Sequence, residues 1–124
     1  MIGDKIRING LFSYEEIKNI LTKLKSLTNS DRWELHSTLT DGETSDGIYT
    51  NRSDVTGEMY RNGIPISIIG VTSQEKVADN PQYRELKFSA ERPVNGRAKE
   101  TTDYLVELNK ALGVLNLHYE TEED

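Results

Sequence analysis

The tightest constraint on this chain is the dipeptide Asn62-Gly63, which sits between two runs of alternating side chains. A two-residue type I′ turn needs positive φ at both central positions, and Asn-Gly supplies it most readily. The pattern therefore predicts a β-hairpin pairing residues 55–60 with residues 64–71. In that register Met59 falls opposite Ile66, Gly57 opposite Ile68 and Tyr60 opposite Pro65. Val55, Met59, Ile64, Ile66 and Ile68 then share one face, the expected core face. Thr56, Tyr60, Ile69 and Val71 share the other. Pro65 has no N–H to offer a further strand, so that side is expected either to be an edge or to begin pairing beyond it.

The chain before the hairpin contains a strong helix start. Ser13 followed by Glu16 makes a capping box, and Phe12 with Ile17 makes a hydrophobic staple. Ile17, Ile20, Leu21, Leu24 and Leu27 form one apolar stripe at helical spacing, and residues 28–31 end the helix. Residues 5–9 alternate as a short strand that Asn9-Gly10 is expected to end. Residues 33–40 alternate strictly: Trp33, Leu35 and Leu39 face one way, Glu34, His36, Thr38 and Thr40 the other. Residues 41–47 are expected as a loop, 48–51 as a short separate strand and 52–54 as a turn.

After the hairpin, residues 72–82 form a polar segment ending in Asn80-Pro81, expected as a loop. Residues 83–91 form a strand with Leu86, Phe88 and Ala90 on one face. Residues 97–112 form a second amphipathic helix, with Ala98, Leu105, Leu108 and Leu112 on one side and Gly113 as its cap. Residues 114–119 are expected as a terminal strand. The order (β)αβ(β)βββαβ predicts an α+β domain: a mainly antiparallel sheet of about five strands with two flanking helices. One compact domain over 1–119 is expected, followed by a frayed acidic tail over 120–124.

Composition narrows the function classes. The 124 residues include no cysteine, which removes disulfides, thiolate metal sites and cysteine nucleophiles and suits a reducing compartment. The first eight residues carry charges where a secretory leader needs an apolar run, and no stretch approaches the ~18 apolar residues of a membrane span. A cytoplasmic protein without a membrane segment is the expectation. The net charge of −6 disfavours nonspecific nucleic-acid binding, which needs a basic face. Charge is unevenly spread: residues 31–60 hold two basic and seven acidic groups, residues 61–100 seven and five.

Four groups of residues are candidates for chemistry. His36, with Glu34 two residues away on the same strand face, has the makings of an acid–base pair, against the plainer reading of a solvated strand histidine. Asp41, Glu43 and Asp46 lie in a Gly-containing segment that would suit a hard cation, but the spacing lacks the alternate ligands and closing glutamate of a calcium loop. No phosphate-binding glycine motif, nucleophile elbow or zinc-binding His-Glu-x-x-His is present.

Arg61, Arg84 and Arg92, with Tyr60 or Tyr83, form the third group. Arginine forks and tyrosine faces would hold a small anionic ligand such as a nucleotide. Ion pairing with the abundant acids is the alternative. The fourth group is the outer hairpin face, where Glu58, Tyr60, Ile69 and Val71 combine aromatic, apolar and charged groups as protein interfaces do. The leading expectation is a small acidic non-enzymatic protein that inhibits or regulates a protein partner, as an inhibitor, immunity protein, chaperone or phage-type antagonist would. Sequestering or sensing a small anion is the alternative. No cofactor and no metal are expected, and a homodimer or higher oligomer fits the exposed apolar groups.

Overall fold

The computed structural model describes residues 5–43, 49–71, 84–90 and 96–122. Eight elements follow one another: β1 (Lys5–Phe12), α1 (Tyr14–Leu27), β2 (Arg32–Glu43), β3 (Tyr49–Arg61), β4 (Ile64–Val71), β5 (Arg84–Ser89), α2 (Ala98–Val114) and β6 (Tyr119–Glu122). The six strands form one sheet in the order β2-β3-β4-β5-β1-β6, with every neighbouring pair antiparallel. The fold is α+β and mostly sheet, as the sequence predicts. Among the described residues no helix is long and apolar enough to cross a membrane.

The hairpin has the expected register. Met59 pairs with Ile66, Gly57 with Ile68 and Tyr60 with Pro65, while Asn62 and Gly63 take φ of 51° and 79°. Among the described residues β5 pairs with β4 from Ser67 to Val71, and the position that would face Pro65 lies outside them. Strand parity sends Val55, Met59, Ile66 and Ile68 to one face, where they are fully buried with Ile6, Ile8, Leu86 and Phe88. Ile17, Leu21 and Leu24 of α1 and Tyr104, Leu108 and Leu112 of α2 complete the same cluster. Both helices therefore cover one face of the sheet.

α1 begins as its sequence dictates: Ser13 Oγ accepts from the Glu16 amide at 3.2 Å, and Glu16 Oε1 accepts from the Ser13 amide at 3.2 Å. The expected stripe is narrower at its end, where Leu27 is 46 % exposed. Asn29 closes the helix in the left-handed region at φ 55°, and the Ser30 amide donates back to the Lys25 carbonyl.

Several boundaries differ from expectation. Asn9-Gly10 does not end β1. Gly10, at φ 118°, lies in a bulge between Ile8 and Phe12, and the strand resumes against Arg84. Residues 41–43 are strand, while 44–48 lie outside the described residues; from Tyr49 on, the separate strand and turn expected over 48–54 merge into β3, because the β2–β3 ladder runs unbroken from Arg32↔Tyr60 to Glu43↔Tyr49. Gly113 lies inside α2. The cap is Leu115, with Asn116 at φ 58° and a Leu117 amide bond to the Leu112 carbonyl. The expected strand over 114–119 therefore gives way to helix and turn, and β6 falls on Tyr119–Glu122. Ala98 is exposed, and Tyr104 with Thr101 takes the buried positions of α2 instead.

Candidate interaction face

Antiparallel pairing aligns residues into rungs across the sheet, and the face turned away from the helices includes three that cross the hairpin. One rung reads His36, Thr56, Ile69, Lys87, Arg7, Glu120. The next reads Glu34, Glu58, Ser67, Ser89, Lys5. The third holds Arg32, Tyr60 and Pro65. Ile69, at the centre, is 38 % exposed. At the β1–β6 side Arg7 Nη2 meets Glu120 Oε2 at 2.5 Å.

The β2–β3 side has the most organised chemistry. Glu34 and Glu58 stand directly opposite each other, a pairing that is unfavourable on its own. Arg32 relieves it: the guanidinium ion-pairs with Glu34 and lies over the Tyr60 ring at 4.2 Å. Tyr60 Oη donates to Glu58 Oε2 at 3.2 Å. Desolvation, followed by the nearby Glu58 carboxylate, pushes the Tyr60 hydroxyl above its usual range and keeps it a donor. Tyr60 and Glu58 are thus preorganised neighbours. Ile69 lies four residues further along the ladder, roughly 13 Å away on the same face. Val71 pairs in the backbone register with Glu85.

The arginine group is not brought together. Arg61 and Tyr60 are consecutive in a strand and point to opposite faces. Arg61 lies at the Ile64 end of β4, whereas Arg84 lies beyond the Val71 end, about 26 Å along the strand. Arg92 and Tyr83 lie outside the described residues. Arg84 is buried, with its guanidinium 5.9 Å from the Tyr14 ring centre; burial draws its pKa below the usual arginine value while the Asp54 charge opposes that shift.

Arg61 instead braces the helices. Its side chain is 15 % exposed, ion-pairs with Glu107, donates to the Thr28 carbonyl at 2.9 Å and lies 4.4 Å over the Tyr104 ring. Behind it runs a buried hydroxyl chain: Tyr104 Oη to Ser30 Oγ at 2.6 Å, Ser30 Oγ to Thr28 Oγ1 at 2.6 Å, and Thr28 Oγ1 donating to the Leu24 carbonyl. Burial raises the Tyr104 pKa. The cleft of about 300 Å³ beside Arg61 is lined by Glu100, Asp103 and Glu107, a lining that repels anions.

This brace predicts a stability effect. Arg61→Ala is expected to destabilise the fold by about 2 kcal/mol, and Arg61→Lys to recover less than half of that, because an ammonium cannot stack and fork at once. Urea midpoints at constant m-value give the measurement.

His36 is exposed on the open face opposite Thr56, and Glu34, its expected acidic companion, is engaged by Arg32. Asp41 and Glu43 sit within β2, paired in register with Asn51 and Tyr49, whereas Asp46 lies outside the described residues. Among the described residues, no cluster of three or more His, Asp or Glu could hold a metal ion. Sequence reasoning missed Arg32, although its alternation with Glu34 and His36 marks it as a member of the outer face. It also missed the parity of Arg84 with Leu86 and Phe88, which places that arginine under the helices. No protein-family model, curated protein or solved structure matches this chain, so the site is interpreted from its own residues and geometry.

Proposed function

We propose that this chain is a binding protein that inhibits or regulates a protein partner by applying the open face of its sheet to that partner's surface. One observation carries the reading. Both helices pack on one side of the six-stranded sheet, and the other side presents Ile69 between a preorganised Tyr60–Glu58 pair and the basic residues Lys87, Lys5 and Arg7, the last ion-paired with Glu120. A rigid tyrosine and a central aliphatic residue, flanked by charges of both signs, are what interface centres are built from.

Affinity capture from host extract, followed by titration of the purified partner, tests this. Tyr60→Ala and Ile69→Asp are expected to weaken the complex about tenfold or more, and Glu58→Lys to weaken it as well. Lys110→Glu, on the exposed side of α2, should leave affinity unchanged. Thermal melts of each variant separate loss of contact from loss of fold. Wild-type affinity in all three face variants would remove this surface from consideration. Native mass spectrometry of the same preparation reads the alternative, a bound small anion, as a reproducible added mass.

A further inference from the structure

Among the described residues, the two edges of the sheet are built differently. β6 is four residues long and carries Glu120 and Glu122. Short, charged edge strands resist pairing with other chains. β2, at the other edge, is twelve residues long and contains neither proline nor lysine. Its backbone parity follows from the hairpin. Arg61 and Ile64 close the two-residue turn, so Tyr60, Glu58 and Thr56 direct their backbone groups toward β2 and meet Arg32, Glu34 and His36. The amides and carbonyls of Trp33, Leu35 and Ser37 therefore point outward, into the edge.

We infer that β2 pairs with β2 of a second copy of this chain, antiparallel about a two-fold axis at Leu35. A two-fold contact must be self-complementary, with residue i meeting j and j meeting i. Centred on Leu35, the register places Leu35 against Leu35, Trp33 against Ser37, and Glu34 against His36 twice over. The carboxylate–imidazole pairs fall on the open face. Trp33 and Leu35, which are only partly buried at the margin of the core, fall on the helix-covered face and gain apolar neighbours. A register centred on Glu34 sets Glu34 against itself and Arg32 against His36. One centred on Ser37 sets Trp33 against Asp41 and pairs no opposite charges. One centred on Trp33 also brings opposite charges together, Arg32 against Glu34, but overlaps only residues 32–34 of each strand, whereas the Leu35 register overlaps 32–38. The outward parity of Leu35, the Glu34–His36 pairs and the longer overlap thus favour one register. The two open faces would join into a single twelve-stranded surface.

A strand-edge contact is small as interfaces go, below about 1,200 Å² in total. The dimer is therefore expected to be concentration-dependent. Sedimentation equilibrium of the full chain up to about 100 μM should show a reversible monomer–dimer equilibrium with a Kd in the micromolar range. Glu34→Lys should weaken it about tenfold, and Glu34→Lys with His36→Glu should restore it. The chain has no cysteine, so a single introduced thiol reports the register directly. Leu35→Cys should form an intermolecular disulfide on mild oxidation much faster than Ser37→Cys, because only position 35 meets itself within disulfide reach. A monomer throughout the concentration range overturns the inference. So does a dimer that crosslinks preferentially through Ser37→Cys or ignores both charge variants. A monomer that takes up an extended peptide along β2 overturns it in favour of a different occupant.

Discussion

Gly57→Ala is expected to destabilise the protein by about 3 kcal/mol or more. Gly57 is buried in β3, and the direction a side chain would take there points to the core face, where the partner strand crosses close by. A methyl group there would run into the Glu34 carbonyl oxygen and stand 3.1 Å from the Leu35 Cα. Both are backbone atoms in a paired strand, so no rotamer change makes room and the β2–β3 ladder must move. Gly70 provides the control. Its added methyl meets a side chain, Val55 Cγ2, with Ile17 Cδ1 at 3.5 Å behind it. Side chains yield more readily, so Gly70→Ala is expected to fall within about 1–3 kcal/mol. Urea unfolding of both variants makes the comparison. Equal losses would mean that the β2–β3 approach at Gly57 is looser than described.

Phe88→Ala is expected to cost about 3–5 kcal/mol. Phe88 lies on the same rung as Gly57: across the covered face the register reads Leu35, Gly57, Ile68, Phe88, Ile6. Ile68, Phe88 and Ile6 are all fully buried. Truncation removes the largest side chain of that row, and the neighbouring β-branched residues are held by their strands, so collapse into the space is limited. Differential scanning calorimetry or urea titration measures the loss. A value under about 1 kcal/mol would mean that the core repacks freely.

These two sites show what could be read from the chain. The alternation around Asn62-Gly63 identified the hairpin, its register and its buried face before any tertiary contact was known, because a period of two and a required turn conformation leave little freedom. The capping box at Ser13 is equally local. What escaped depends on distant partners. The continuation of β3 through residues 52–54 is decided by β2, not by the turn-like Arg52-Ser-Asp sequence. β6 lies where β1 can receive it, so Tyr119–Glu122 is strand despite its acidic run, while the alternating apolar residues Leu115 and Leu117 belong to a helix terminus closed by Asn116. The outer face at Glu58, Tyr60 and Ile69 was legible through parity. The arginine cluster was drawn from proximity along the chain, and parity separates Tyr60 from Arg61 just as firmly as it unites Tyr60 with Glu58.

The position of β1 between β5 and β6 has a consequence for synthesis. Ile6 pairs with Phe88 and Thr121, residues that follow it by 82 and 115 positions. The meander from β2 to β5 joins strands in sequence order and is able to assemble as it emerges from the ribosome. β1 emerges before all of it, yet finds its neighbours last. Until the ribosome has passed Glu122, Ile6 and Ile8 lack one of the two flanking strands that enclose them in the finished sheet. Such long-range closure slows folding and lengthens the interval in which apolar segments remain open to other nascent chains. Pausing or truncation ahead of β6 would therefore be expected to divert the chain toward chaperones or aggregates, even though the meander and both helices were already made.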